Sequence, residues 1–235
     1  MGKNLIQQKR GRGTPTYRSR SFRFRGTPQY ALPRVGMGTI KDIFKCPGHT
    51  TPLMQVKFED KEEWLLIAPE GIHVGQQLSV GGVGEEVKPG EIRELEAFPL
   101  GTLIYNIECR PGDGGRFVRA SGTFAKIIAK TDKGVEVKLP SKTIKIFNSK
   151  CRASMGRAAG SGRTEKPFVK AGKRHHKIRA VGGLYPFTSG VSMNAVNHPY
   201  GGSSSHSKGR PTIAPKNAPP GRKVGKLRPS RTGKR

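Results

Sequence analysis

The acidic residues of this chain are confined to its middle. All sixteen Asp and Glu lie between residues 36 and 165, where nineteen Lys and Arg accompany them. Residues 1–35 carry nine Lys and Arg without an acid, and residues 166–235 carry sixteen. A segment with a single sign of charge cannot pair its charges internally, so both ends are expected to lie on a polyanion. The nearly neutral middle can form an ordinary globular body.

The overall charge favours nucleic acid as the partner, since the 235 residues have a formal net charge of +28. A membrane-surface protein is the competing class, but it would need an amphipathic helix or a lipid anchor, and no helical apolar stripe of useful length occurs. No apolar run approaches the roughly 20 residues that span a bilayer. The first residues also lack the apolar core of a signal peptide. We therefore expect a soluble, intracellular protein that uses neither a membrane nor a small-molecule substrate.

The middle of the chain contains short apolar or alternating runs separated by turns, a pattern typical of small β-barrels. The runs that predict a closed barrel of the OB type are 39–45, 53–58, 63–68 and 77–81. The runs whose spacing fits an SH3-like barrel are 103–109, 124–130, 135–140 and 143–147. The Gly-, Pro- and Glu-rich stretch 83–99 is interpreted as a connector that faces away from RNA. Regular structure is expected to end in the stretch 155–163, which follows Cys151 and Arg152, apart from one short helix near 166–172.

The sequence therefore predicts a mostly-β fold with two barrels and two arms. The predicted parts are a basic N-terminal extension (1–35), an OB-like barrel (36–85), an SH3-like barrel (86–165) and an extended basic C-terminal arm (166–235). Ten Gly and eight Pro in residues 166–235 argue against a packed core there. Those residues also permit a close approach of the backbone to sugar and phosphate.

The N-terminal extension mixes arginine with aromatic residues. Its Arg10-Gly11-Arg12-Gly13 segment resembles RGG-type RNA-binding segments, although two repeats are a weak signal. Tyr17, Phe22 and Phe24 alternate with arginines. An edge strand and a disordered tail are the alternatives. We favour an extended arm whose arginines pair with phosphate and whose aromatic rings stack on bases or pack at the RNA surface.

One long uncharged segment, residues 182–202, interrupts the C-terminal arm between a basic cluster at 173–179 and the cations of 208–235. It contains Gly190-Val191-Ser192-Met193-Asn194-Ala195-Val196-Asn197-His198-Pro199 followed by Gly201-Gly202. We interpret these two basic segments as clamps that hold a neutral loop between them. The loop is expected to fit against RNA where packing is too close for long cationic side chains.

This neutral loop resembles the signature of ribosomal protein two of the large subunit, a universal rRNA-binding family. Further resemblances, closer to the archaeal and eukaryotic branch, lie at 10–14, 68–71, 111–115, 166–172 and 217–225. The resemblance implies the same two barrels and basic extensions in a protein of the cytoplasmic ribosome. It implies a primary binder of large-subunit rRNA that supports assembly, tRNA positioning and the architecture near the peptidyl transferase centre. The implied partners are that rRNA, neighbouring ribosomal proteins and the small subunit, the last through an inter-subunit bridge.

Two residues depart from the family pattern. Ser189 stands where the family usually has arginine, which removes a phosphate contact, and Asn197 stands where it usually has an acid, which removes a carboxylate partner for His198. A catalytic base needs a tuned pKa and a proton within reach, yet no acid follows Glu165. We expect His198 to contact RNA and shape the loop. Direct assistance of peptidyl transfer by His198 is the enzymatic alternative, and an RNA-binding OB protein outside the ribosome is a third hypothesis.

The predicted RNA-binding residues are cations of the arms and barrel turns together with residues of the neutral loop. They are Arg10, Arg12, Arg18, Arg20, Arg23, Arg25, Arg116, Arg157, Arg163, Lys166, Lys170, Lys173, Arg174, His175, His176, Lys177, Arg179, Met193, Asn194, His198, Gly201, Gly202, Lys208, Arg210, Arg222, Lys223, Lys226, Arg228 and Arg231.

Metal, cofactor and phosphate-loop sites are not expected in this chain. Cys46 and His49 could be two zinc ligands, but a structural site needs four, usually as two close pairs. The three cysteines are far apart and predict no disulfide framework. The loop 112–115 lacks the Lys-Ser/Thr ending of a P-loop and is interpreted as a turn or a loop apposed to RNA. No cofactor is predicted, and Mg²⁺ would be present only in association with the rRNA.

Overall fold

The computed structural model describes residues 2–30, 35–60, 62–82 and 87–226. The chain divides into two compact units. The smaller unit combines Met1–Arg20 with Val169–Arg235, and the larger unit is Ser21–Phe168. The two ends of the sequence therefore belong to one unit, whereas the four-part division inferred from the sequence stays a prediction.

Within the described residues, the larger unit is built on a sheet of ten strands. These are β1 (Gly36–Phe44), β2 (Leu53–Phe58), β3 (Glu63–Ile67), β4 (Gln77–Val80), β5 (Ile92–Glu94), β6 (Leu103–Tyr105), β7 (Ala125–Thr131), β8 (Gly134–Lys138), β9 (Ile144–Phe147) and β10 (Arg152–Met155). Their order across the sheet is β3-β2-β1-β4-β5-β10-β6-β7-β8-β9. Only the β4–β5 pair is parallel among the described strand pairs. The predicted mostly-β fold class is confirmed.

The sheet encloses two main apolar cores, one in each half. The first is formed around β1–β4 and contains Trp64, whose ring centroid lies 4.7 Å from that of Phe58. The second is formed around β6–β10 and contains Leu95, Ile104 and Val137. Fully burying an apolar side chain of this size contributes about 1.5–3 kcal/mol. Two cores along one chain are consistent with two successive barrels, and Trp64 is a core residue.

The interpretation of residues 83–99 as a connector was wrong for the residues that the structure describes. Residues 87–99 include β5 and a short 3-10 turn (Leu95–Ala97) whose Leu95 is buried, while 83–86 lie outside the described residues. The sequence did not predict β10, which begins directly after Cys151, but the end of β10 at Met155 agrees with the expected end of regular structure within 155–163. β10 pairs Ala153 with Arg93 of β5 and Ser154 with Tyr105 of β6. β5 and β10 have three and four residues without a clear alternation of apolar and polar positions, and they pair with partners about 50–60 positions away.

Two helices lie in the described part of the smaller unit, α1 (Ile6–Gly11) and α2 (Ala171–Ala180). The short helix expected near 166–172 begins later and runs for ten residues, and α1 was not expected. The side chain of Gln8 caps α1 by accepting the backbone N–H of Leu5 at 2.8 Å. No described helix is long and apolar enough to cross a bilayer.

A small apolar cluster corrects the expectation that the C-terminal arm has no packed core. Leu5, Tyr200 and Val224 are each 7% exposed and pack together, with Val191 against them. The composition argument failed because the cluster draws Leu5 from the other end of the chain. A residue brought in from outside the segment cannot be anticipated from the segment's own Gly and Pro content.

Candidate RNA-binding surface

The smaller unit contains no acidic residue. Residues 1–20 and 169–235 together hold twenty-one Lys and Arg without an Asp or Glu. No cation of this unit can therefore form a salt bridge with a side chain of its own unit. The unit is a source of positive potential with no internal compensation, which suits it to a polyanion.

Glycines shape the neutral loop of residues 190–202. A Cβ at Gly190 would collide with the His198 ring, and one at Gly201 would collide with the carbonyl oxygen of Met193. The loop is closed by backbone bonds, including the N–H of Gly202 to the carbonyl of Met193 at 3.2 Å. The carbonyl of Asn194 accepts the N–H of His198 at 3.2 Å. Since these glycines occupy positions that no side chain could share, the loop is tightly packed, and backbone and small side chains form its surface.

His198 is a structural member of this loop. Its Nδ1 accepts the backbone N–H of Tyr200 at 3.1 Å, and the two ring centroids are 5.0 Å apart. Because a backbone N–H can only donate, the neutral imidazole carries its proton on Nε2. Burial lowers the pKa of His198, which favours this neutral form. The ring therefore offers a hydrogen-bond donor, and its one lone pair is already engaged.

The N-terminal segment holds the neutral loop in place. The backbone N–H of Lys3 donates to the carbonyl of Val196 at 2.8 Å, and the Arg10 guanidinium donates to the carbonyl of Gly182 at 3.1 Å. Leu5 packs on Tyr200, as described above. One of the predicted phosphate-binding arginines thus also ties the two ends of the chain together.

The helix α2 presents cations on most of its surface. None of its residues is buried. Its last turn carries Lys177 and Arg179, whose positive charges interact favourably with the negative end of the helix dipole. The guanidinium of Arg174 lies 5.4 Å from the centroid of the Tyr185 ring, and the rings of His175 and His176 are 5.5 Å apart. A helix without an apolar face gains little from packing on its own protein, so it is suited to a charged partner.

The two phenylalanines of residues 21–25, which belong to the larger unit, have different roles. Phe24 packs its ring edge-on against His49, with centroids 6.3 Å apart, and occupies the space beside Gly48. Phe22, in contrast, is 81% exposed, with the Arg23 guanidinium 5.6 Å from its centroid. Only Phe22 of this pair is free to stack on a base.

Several predicted RNA-binding cations of the larger unit already have protein partners. Arg25 lies 5.4 Å from the centroid of the Phe44 ring. Arg157 lies 4.9 Å from the centroid of Phe124, and it pairs with Glu70 at 3.8 Å. Of the four other members of this group, Arg116 and Lys166 are exposed, the Nε–H of Arg163 donates to the hydroxyl of Ser121 at 2.7 Å, and Arg23 lies near the Phe22 ring as described above.

The loop 110–116 is organised by a buried carboxylate. Glu108 accepts the backbone N–H groups of Gly112 at 3.3 Å and Gly114 at 3.1 Å, and it pairs with the Arg152 guanidinium at 2.8 Å. Asp113 accepts the N–H of Gly115 at 3.2 Å. These amides are occupied by carboxylates of the chain, so the glycine-rich loop is a structured turn and does not offer a nest for phosphate.

No described group of three or more His, Cys, Asp or Glu side chains is arranged to hold a metal ion. Cys46 and Cys151 are buried free thiols, and burial raises the pKa of Cys151 to about 11. The Cys151 thiol therefore stays protonated near neutral pH and is a poor metal ligand.

The structure brings most of the predicted RNA-binding residues into the smaller unit and leaves six in the larger one. Those in the larger unit are Arg23, Arg25, Arg116, Arg157, Arg163 and Lys166. Arg228 and Arg231 lie outside the described residues. Leu5 and Glu108 were missed, and the only sequence signal for Glu108 is a lone acid inside the mostly apolar run 103–109.

The larger unit is rich in β-strands, and the smaller unit is cationic and has no acidic residue. A protein with these two units belongs to the class that binds polyanions. A family model described as "Ribosomal Proteins L2, C-terminal domain" matches residues 88–218. The chain is 49% identical to the large ribosomal subunit protein uL2 of Methanothermobacter thermautotrophicus, over the full length of both chains. It is 46% and 47% identical to the proteins of the same name from Methanococcus vannielii and Methanosphaera stadtmanae, again over the full length of each. The chain therefore belongs to the L2 (uL2) family of ribosomal proteins, as the resemblance of its neutral loop predicted.

Proposed function

We propose that this protein is a structural constituent of the large ribosomal subunit and that it binds the rRNA of that subunit through its acid-free unit. Relatives that align from end to end are named as proteins of the large subunit, which supports the first part. The observation that carries the second part is the set of twenty-one cations without a carboxylate in residues 1–20 and 169–235. The protein acts by positioning RNA and not by turnover.

The salt dependence of rRNA binding tests the electrostatic part of this proposal. If about ten of these cations each neutralise one phosphate, log K should fall with log salt at a slope of roughly −9. Lys173→Gln, on the exposed surface of α2, should reduce the slope by about one. Lys133→Gln, in the β7–β8 turn of the larger unit, is the matched control and should leave the slope unchanged. A wild-type slope shallower than about −3 would contradict the proposed role of the unit.

Sedimentation distinguishes a ribosomal constituent from an RNA-binding OB protein outside the ribosome. A constituent should remain with the large subunit, at one copy per particle, through a high-salt wash. Release of the protein into the supernatant, or its recovery with other RNA only, would favour the extra-ribosomal alternative.

Catalysis by His198 is the second candidate function, and the geometry weighs against it. The lone pair on Nδ1 is engaged by Tyr200, so the ring in this conformation has no base to offer. Ribosomes assembled with His198→Ala should retain near-normal rates of single-turnover peptide transfer. Collapse of the chemical step in fully assembled particles would overturn the non-catalytic assignment.

The proposed partners extend to neighbouring ribosomal proteins and, through an inter-subunit bridge, to the small subunit. Mg²⁺ is proposed to accompany the rRNA phosphates and not to occupy a site of the chain. Cross-linking of intact ribosomes should join this protein to small-subunit components. Cross-links confined to the large subunit in joined particles would contradict the bridge.

A further inference from the structure

His198 forms part of the wall of three cavities in the smaller unit. Their volumes are about 420, 380 and 480 Å³. The 380 Å³ cavity lies between the start of α1 and residues 187–198, and it shares wall residues with both of the others. It is therefore called the middle cavity. Its volume is in the range of sites that hold one small organic group.

The middle cavity has apolar and aromatic walls that remain accessible. Leu5, Ile6, Tyr17, Phe187 and Met193 line it, together with His198. Phe187 is 78% exposed and Ile6 is 40% exposed. A solvent-exposed phenylalanine beside an apolar cavity provides a surface on which a planar, aromatic ligand can stack.

Polar groups with unused hydrogen-bonding capacity complete the cavity wall. The side-chain amides of Asn4, Gln7 and Asn197 line it, and none has a protein partner among the described residues. The same holds for the Nε2–H of His198 within the described part of the chain. Amides offer donors and acceptors together, which is the pattern that reads the hydrogen-bonding edge of a nucleobase.

The two flanking cavities are lined by cations. The 420 Å³ cavity has Lys3, Arg210 and Arg222 in its wall, and the 480 Å³ cavity has Lys208 and Lys223. The middle cavity has one cation, Lys9. Positive charge thus lies on both sides of an apolar, amide-bearing cavity. This alternation matches a nucleotide chain, in which a planar base lies between two phosphates.

We propose that the middle cavity receives the base of one unpaired RNA nucleotide, stacked on Phe187, with its neighbouring phosphates at the cations of the flanking cavities. This inference rests on the proposed binding of rRNA and specifies what part of the RNA the neutral loop recognises. The side-chain amides make the site selective for the edge of that base, whereas the cations bind any phosphate. The neutral loop then recognises one nucleotide in addition to fitting closely against the RNA.

Phe187→Ala tests the stacking contact in the full chain bound to large-subunit rRNA. The variant should bind about ten-fold more weakly, with an unchanged salt slope because no charge is lost. One RNA base that wild type protects from base-specific chemical modification should become reactive. Phe168→Ala is the matched control, because Phe168 is 51% exposed and lines none of the three cavities. It should leave that base protected.

Ile6→Trp provides a second test that does not depend on Phe187. The side chain of Ile6 is already partly exposed, so a larger ring can occupy the cavity without disturbing a core. The variant should expose the same base. Wild-type affinity and unchanged base reactivity in both variants would overturn the inference and leave the proposed function intact. Failure of wild type itself to bind the rRNA would overturn both.

Discussion

Replacement of Glu108 by glutamine should strongly destabilise the larger unit. The side chain of Glu108 has no exposed surface, and that of Arg152 is only 10% exposed. Besides the ion pair, the carboxylate accepts backbone N–H groups of Gly112 and Gly114, so it fixes the loop 110–116 to β10. Glutamine has the same shape but only one acceptor oxygen and no charge.

The size of the effect follows from burial. Removing one partner of a buried ion pair costs about 3–5 kcal/mol, because the other charge stays out of water without its carboxylate. We therefore expect Glu108→Gln to lower the free energy of unfolding by about 4 kcal/mol. Removing both charges together, in a Glu108→Leu, Arg152→Met double variant, should cost less than this single change.

Urea unfolding of the full chain, followed by the fluorescence of its one tryptophan, Trp64, measures this difference. Glu70→Gln is the control, since Glu70 and Arg157 are 51% and 41% exposed and lie 3.8 Å apart. A surface pair of this kind contributes at most about 1 kcal/mol. Equal losses for the two substitutions, or a loss below about 1 kcal/mol for Glu108→Gln, would refute the argument from burial.

Three further predictions concern the neutral loop, a half-buried histidine and the smaller unit. Gly190→Ala should weaken rRNA binding about ten-fold in a filter assay, because the new Cβ collides with the His198 ring; unchanged affinity would contradict this. Burial, and next Arg119, lower the pKa of His49. Its neutral form stabilises the fold above about pH 6.5, and this stability is lost as the pH falls through the folded pKa. Urea unfolding of His49→Phe should show a flatter acid limb than wild type, and parallel profiles would contradict the assignment. Proteases should cleave residues 1–20 and 169–235 rapidly in the free chain and slowly on rRNA. The burial of one small apolar cluster offsets the conformational-entropy cost of ordering only a few residues. Equal protection without RNA would contradict that dependence.

The strands that could be predicted are those with an apolar or alternating pattern over five or more consecutive residues. β2 has the predicted limits, Leu53–Phe58, because its residues alternate and its partners β1 and β3 are neighbours in sequence. The run 103–109 was predicted as one strand, but β6 ends at Tyr105. Asn106 adopts a positive φ of 50°, which breaks the ladder. Composition cannot reveal such a turn, since it is imposed by contacts with Tyr30 and Gly115 from elsewhere in the fold.

The candidate site was predicted in its chemistry but not in its assembly. The absence of acids identified both basic ends, and the neutral loop was recognised around His198. The contacts of Lys3 with Val196 and of Leu5 with Tyr200 could not be anticipated, since nothing local to either segment indicates the other. The middle cavity depends on the same pairing, because its walls come from both ends of the chain.

The pairing of the chain's two ends has a consequence for the timing of synthesis. The segment 1–20 is made before its partners in 169–226, which follow only after the 148 residues of the larger unit. Translation proceeds at roughly 5–20 residues per second. The six cations of residues 1–20 are therefore synthesised on the order of ten to thirty seconds before the neutral loop that they contact. During that interval the larger unit can fold, while the leading segment is an exposed polycation that any nearby RNA can capture. A factor that shields residues 1–20 on the nascent chain would therefore act before the neutral loop exists.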